Sequence, residues 1–374
     1  MRLLLIFPPP ASPTYVPLGL ASLTAFLRTR TPELDLTVLD LNITTWQFYA
    51  KITPAGNDLL AFMHCHESFY DPVQYTRHQS TWADVNQRLQ RLLAHARHYL
   101  NSGLWSDELQ WFLDIVLQQI QTSSPNLLGF SVMFLEQMAP ALALCRRLHE
   151  TIDKHKRPHC VLGGAALSAV QIKDLMQYAW FLDAVLMGEG ETALSQLCQG
   201  IPPDQIPGLI TRTTEPRPLP STQDIELTTL PIPDFRDLPL ADYANPEPAL
   251  PVVLSRHCAW ARCRFCAHNV SFGSHRLKTI NQFVQELEVL SARHHCRRFY
   301  LADQYVPTSV LMELTTALLQ RPLEIMQWLQ RRRWVGPVPF TEHLPCEHLL
   351  LYSAHRQAQD NHKPISPPAP KKVA

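Results

Sequence analysis

The sequence predicts an α/β protein: a doubly wound, mostly parallel sheet carrying a helical insertion, followed by a shorter βαβαβ unit. Three observations predict it. The runs Leu3 to Phe7, Leu127 to Met133 and Cys160 to Leu162 have strand length and little polar alternation, as strands covered on both faces do. Stretches with apolar residues at helical spacing separate the strands, beginning with Leu20, Leu23, Phe26 and Leu27. Glycines follow the later strands at Gly163-Gly164 and at Gly188 and Gly190, where a chain leaving a sheet must turn.

With 374 residues there is room for two ordinary domains and a sizeable core. Thirty-three basic and thirty-three acidic residues balance, which argues against an electrostatic grip on nucleic acid or an anionic membrane. Met1 to Phe7 is too short for a signal h-region and stops at Pro8-Pro9-Pro10, and no stretch reaches the length of a membrane span. The expectation is a soluble cytoplasmic protein, with Cys65, Cys145, Cys160, Cys198, Cys296 and Cys346 reduced.

Leu3 to Phe7 reads as a buried parallel strand ended by the prolines, and 18–28 as a helix with Pro17 near its start. Leu36 to Leu41 is the next strand. From 43 to about 121 the pattern breaks: Trp46, Phe48, Tyr49, Phe62, Phe69, Tyr70 and Tyr75 are scattered among polar residues, ahead of helical patterns at 83–100 and 107–121. This predicts a helical insertion on the sheet, with His64 and His66 as exposed loop histidines in preference to metal ligands. The sheet resumes at 127–133, followed by helix 138–150, strand 160–162, helix 170–178, strand 184–186, and the turn Gly188-Glu189-Gly190-Glu191 that opens another helix. Glycines at strand carboxyl ends let a backbone approach a ligand, so Ser131, Gly163, Gly164, Gly188 and Gly190 mark a candidate binding edge. No G-x-G-x-x-G follows the first strand, which argues against a nicotinamide dinucleotide site.

The thirty-two prolines concentrate in 201–251 and in the tail, marking 201–248 as a connector. After the apolar run Leu250 to Leu254 come Cys258, Cys263 and Cys266, in the spacing C-x4-C-x2-C. Closely spaced thiolates favour iron-sulfur clusters, zinc or copper(I). Zinc would want a fourth ligand, which His257 or His268 could supply. A cluster held by three thiolates leaves one iron open to a small molecule. The bland reading is a loop of reduced cysteines. Arg256, Arg262 and Arg264 would favour thiolates and offset an anionic cluster.

The triplet, with Phe265 just before its last cysteine, resembles the cluster loop of radical S-adenosylmethionine (SAM) enzymes. That family's commonest spacing has three residues between the first two cysteines and this protein has four, a departure found in cobalamin-dependent members, whose loops often carry an aromatic such as Trp260 there. Upstream, the proline run with Pro17-Leu18-Gly19-Leu20, Asp40-Leu41-Asn42, Gly163-Gly164 and Gly188 to Glu191 resemble the cobalamin-binding domain of the same proteins. Ile206 to Arg212, Pro231 to Phe235, Pro239-Leu240 and Tyr243 are similar to the connector. The resemblance implies a Rossmann-like cobalamin-binding domain over 1–200, the connector, an incomplete radical SAM (β/α) barrel over 249–353 and a disordered tail over 354–374.

It implies further that Cys258, Cys263 and Cys266 hold a [4Fe-4S] cluster, that SAM chelates the open iron with the Phe265 backbone near its adenine, and that reduction releases a 5′-deoxyadenosyl radical. Methyl transfer to an unactivated carbon would be one use of it. Ser131, Gly163, Gly164, Gly188, Glu189 and Gly190 are placed around cobalamin, bound base-off because no D-x-H-x-x-G loop is present. The implied partners are a small-molecule or peptide substrate and an electron donor such as flavodoxin or ferredoxin.

In the second half, helix 281–293, strand 298–303, helix 308–320 and strand 323–328 suit the start of such a barrel, active at its strand carboxyl ends. Leu349 to Ser353 is a candidate fourth strand. Asp303 ends its strand at the active edge, and the resemblance offers it as a catalytic residue touching SAM or substrate; capping of the next helix is the other account. Family barrels have about six strands, so the resemblance also implies a shortened barrel with an unpaired edge. A non-catalytic corrinoid-binding protein and a zinc-stabilised interaction module are the competing readings.

Overall fold

The computed structural model describes residues 1–213, 225–260 and 274–321. Its main sheet has six strands in the order β2-β1-β3-β4-β5-β6. β1 (Arg2–Phe7) lies parallel between β2 (Asp35–Asp40) and β3 (Leu127–Ser131). β4 (His159–Gly163) and β5 (Ala184–Leu186) continue in parallel, and β6 (Leu209–Thr211) closes the edge antiparallel. The order reverses between β1 and β3, which opens a crevice at the strand carboxyl ends.

Alternation along β1 explains its apolar run. Leu3 and Leu5 pack on one face with Leu27 and Leu194, and Leu4 and Ile6 on the other with Leu128, Phe130 and Leu144. α1 (Leu18–Arg30) and α9 (Gly190–Cys198) pack together on the first face. α7 (Met138–Thr151) packs against the long insertion helix α5 (Pro72–Ser102). α8 (Ile172–Tyr178) leads into β5.

The insertion is helical, as expected, with two changes. Its first helix, α2 (Leu41–Ile52), starts directly at the end of β2, because Asp40 accepts a hydrogen bond from the Ile43 N–H as its N-cap. α3 (Gly56–His64) and α4 (His66–Phe69) follow, and α5 begins at Pro72, well before 83. Asp71 caps α5 by accepting from Val73 N–H, Pro72 occupies its first turn, and Gly103 ends it at φ 75°. The early turns were hidden because they are largely exposed and carry no apolar stripe. α6 (Gln110–Ser123) returns to β3.

Residues 225–248 form no long element, yet they are not a loose linker: Phe235, Tyr243 and Ala244 are fully buried. Arg28 of α1 donates to Asp234 at 2.6 Å and to Asp237 at 2.7 Å, tying this segment to the sheet unit. Leu209–Thr211, assigned to the connector from sequence, is instead β6, so the sheet extends past 200.

In the second unit β7 (Ala249–Val252) pairs in parallel with β10 (Arg298–Leu301). α10 (Ile280–His294) lies between them in sequence, opened by a Thr279-Gln282 capping box, and α11 (Thr308–Leu319) follows. β8 (Ser255–Arg256) and β9 (Arg276–Leu277) form a short antiparallel ladder. The insertion reaches this unit at buried Arg298, which donates to the Tyr70 hydroxyl and pairs with Glu247, with the His66 ring nitrogen at 3.2 Å. His64 contacts the Asn245 carbonyl at 3.2 Å; both insertion histidines are exposed, as expected, but sit at helix ends and not in a long loop. The strands expected at 323–328 and 349–353, and the tail, lie outside the described residues. Among the described residues no helix is long and apolar enough to cross a membrane.

Candidate functional site

Ser131, Gly163 and Leu186 end β3, β4 and β5 at one edge of the sheet, and Gly188 follows at φ 81°. The two adjacent glycines have different reasons to be there. A Cβ on Gly164 (φ 112°) would stand 2.3 Å from the Val132 carbonyl oxygen, so backbone packing alone demands glycine. A Cβ on Gly163 would meet nothing closer than Leu186 O at 3.7 Å. Gly163 therefore has room for a methyl group in ordinary contact with Leu186, while Gly164 shapes the turn.

Beside them stands an apolar platform. Met133, Phe134 and Leu135 are 41%, 39% and 52% exposed, and Tyr15 donates to the Met133 sulfur at 2.8 Å while its ring meets Phe134 edge-on. Fully buried Gln137 builds this platform: its Oε1 accepts from the N–H groups of Met133 and Phe134, and its Nε2 donates to Pro8 O at 2.5 Å. One amide thus joins the proline run after β1 to the loop after β3. Sequence reasoning missed Gln137; the signal was a polar residue three places before the apolar Pro140-Ala141-Leu142 stretch. Large apolar side chains held open to solvent mark this strand edge as a candidate ligand-facing surface.

At the β2 end of the same edge, Asn42 accepts from Ala11 N–H at 2.7 Å. Asp40, fully buried, accepts from the Tyr243 hydroxyl at 2.6 Å. Burial pushes the Asp40 pKa up to about 6, although Tyr243 and the Ile43 N–H hold it back.

The feet of the cysteine loop are β8 and β9. Of the expected cluster ligands only Cys258 is among the described residues, half-buried one position after His257, whose φ of 68° turns the backbone there. Cys263, Cys266 and Phe265, with Arg262, Arg264 and His268, lie outside the described residues. In the sequence, three cysteines fall within nine positions, donor chemistry suited to a cluster.

Asp303 does not cap a helix: α11 starts five residues on with Pro307 as its N-cap. The buried Asp303 carboxylate accepts from Leu254 N–H at 3.0 Å, Ser255 N–H at 2.5 Å and the Ser255 hydroxyl at 2.6 Å. Burial raises its pKa even against those donors. The side chain thereby pins the first foot of the loop. Behind the second foot, buried Lys278 pairs with Glu286 at 2.6 Å, and burial raises the Glu286 pKa despite the ammonium.

Arg256 departs from the reading that assigned it to cluster charge. Its guanidinium faces Glu191 at 2.5 Å and Glu189 at 3.3 Å, in the turn after β5. Arg276, across the β8-β9 ladder, pairs with Glu189 at 2.5 Å and donates to Ile225 O at 2.7 Å. Glu189, expected around a cofactor, directs its carboxylate to these two arginines. The Gly188 to Glu191 turn and the feet of the cysteine loop are therefore neighbours, though 65 residues separate Glu191 from Arg256.

No family model matches the chain, and no curated protein matches it. Among solved structures it is similar to the cobalamin-dependent S-adenosylmethionine radical enzyme OxsB. The apo, selenomethionine-labelled form aligns with TM-score 0.56 and 15% identity over 86% of this chain and 37% of that one. The form with aqua-cobalamin and S-adenosylmethionine bound gives 0.54 over the same shares. The radical S-adenosylmethionine methyltransferase TsrM from Kitasatospora setae, with tryptophan substrate and a SAM analogue, aligns at 17% identity and TM-score 0.49 over 94% of this chain and 57% of that one. The fold is similar to that of part of OxsB, and the chain spans just over a third of the OxsB length.

Proposed function

We propose that this chain is a cobalamin-dependent radical SAM protein, binding a corrinoid on the sheet edge and a [4Fe-4S] cluster with SAM at its cysteine loop. The observation that supports this most is the adjacency of the two sites: the turn after β5 and the feet of the loop share one set of ion pairs. Met133, Phe134, Leu135 and Gly163 would line the corrinoid, and Cys258, Cys263 and Cys266 would ligate iron. Bound there, a cluster with one open iron would pass an electron received from an external donor to SAM for its reductive cleavage to methionine and a 5′-deoxyadenosyl group, and a methylated corrinoid would supply methyl-group chemistry. The protein's own part is to fix the loop, through Asp303 and the arginines, and to present an apolar edge that excludes water.

Anaerobic reconstitution of the full-length protein with iron and sulfide tests the assignment. Wild type should take up a brown chromophore and, once reduced, release 5′-deoxyadenosine from SAM; Cys263→Ala should do neither. Equal cluster content in both would remove the cysteine assignment. Binding of aquacobalamin without SAM cleavage would favour the corrinoid-binding protein, and stoichiometric zinc after aerobic purification the zinc module.

A further inference from the structure

We infer that Glu189, Glu191, Arg256 and Arg276 form a positioning joint that sets the cysteine loop against the corrinoid edge, and that this joint determines how the loop presents Cys258. The inference rests on the reading above for its functional meaning, and on geometry alone for its existence.

Four charges alternate across the contact. Glu191 takes Arg256 at 2.5 Å, Glu189 takes Arg256 at 3.3 Å and Arg276 at 2.5 Å, and Glu189 also accepts from Ile225 N–H at 3.4 Å. All four side chains are at least four-fifths buried, Glu191 being 5% exposed and Arg256 19%. Exposed ion pairs contribute little, whereas breaking a buried one strands a charge. The two arginines sit in register on the ladder, Arg256 opposite Arg276, so the joint holds both feet of the loop at once. Two like charges side by side would repel each other, and the carboxylates between them relieve this. The carboxylates flank Gly190, whose own Cβ would meet Leu23 of α1 at 3.3 Å, so the turn carrying them has little freedom to shift. A single residue, His257 with φ 68°, separates Arg256 from Cys258. A displacement of Arg256 is thus passed to the first thiol with almost no slack.

The test uses the full-length protein as Glu191→Gln, Glu189→Gln, and the exchanged pair Glu191→Arg with Arg256→Glu. Hydrogen exchange on the protein without iron should accelerate at least roughly tenfold at amides 254–258 and 276–277 in both single variants. Amides of β1 and β3 should not change, and the exchanged pair should return the ladder amides toward wild type. After reconstitution, the single variants should retain iron but show an altered electron paramagnetic resonance signal on SAM addition. Unchanged ladder amides in both single variants would overturn the joint. So would acceleration of β1 and β3 amides to the same degree, which marks general destabilisation, or a resonance signal identical to wild type. If wild type takes up no cluster, the functional reading fails while the exchange data still decide whether the joint exists.

Discussion

Tyr243, in the connector, donates its hydroxyl to the buried Asp40 carboxylate at 2.6 Å, across 203 residues of sequence. The bond joins the connector to the end of β2. Asp40 is raised from 3.8 to about 6. For a carboxyl raised on folding, stability is complete below the unfolded value and falls as pH rises through the folded one. We therefore expect stability to drop between about pH 4 and pH 6, by about 3 kcal/mol if Asp40 acted alone. Asp40→Asn keeps an acceptor for Ile43 and should lack this decline in urea melts across that window. Tyr243→Phe should push the Asp40 pKa higher still.

Asp234 should behave in the opposite sense. Burial pushes its carboxyl up, but Arg236 and Arg28 outweigh it and hold the group well below the usual range. Its contribution is present above the unfolded value of 3.8 and lost as pH falls below it. Because Arg236 is 61% exposed and Arg28 35%, solvent screens both pairs. Asp234→Asn should cost about 1–2 kcal/mol at neutral pH and flatten the acid limb of the stability curve. An unchanged acid limb would show that the pairs contribute nothing.

The adjacent glycines should separate cleanly. Gly164→Ala must move the Val132 backbone and should lose more than about 3 kcal/mol, or fail to fold. Gly163→Ala should stay within about 1 kcal/mol of wild type in thermal melts while weakening aquacobalamin binding, since its methyl group would stand beside Leu186 at the strand end where the corrinoid is proposed to bind. Gly163→Ala with unaltered corrinoid affinity would move the binding site elsewhere.

Asp303→Ala should cost about 2–4 kcal/mol, because it leaves the buried N–H groups of Leu254 and Ser255 without an acceptor. Ser255→Ala removes only the hydroxyl bond and should cost about 1 kcal/mol. Chemical denaturation of both variants measures the difference; equal losses would mean that the backbone bonds carry no stability.

The parallel core is legible in the sequence because strands covered on both faces leave unbroken apolar runs, as in Leu3 to Phe7. β6 is not, because three residues have no period and their partner lies across a helix and a turn. The β8-β9 ladder of two residues each is hidden for the same reason. Site residues divide similarly. The glycine turns and the ends of β3 to β5 are visible as motifs, whereas their partners are fixed only by tertiary contact. Local sequence placed Arg256 with the thiols beside it and offered Asp303 either as a residue at the active strand edge or as a cap for the helix after it. Folding gives both to groups distant in the sequence, Glu191 and Ser255. Gln137 escapes notice because its signal, one polar residue ahead of an apolar stretch, is common to many helix starts.

Arg298 carries a consequence for how such a molecule can be shortened or recombined. Its guanidinium meets a phenol from the insertion, an imidazole beside it and a carboxylate from the connector. Excising the insertion as a surface ornament would unroof the base of β10 and wet a cation that now sits in a sheltered niche. A trimmed or chimeric version should therefore lose the phenol and imidazole contacts that tie the insertion to the second unit and leave Arg298 to Glu247 and water.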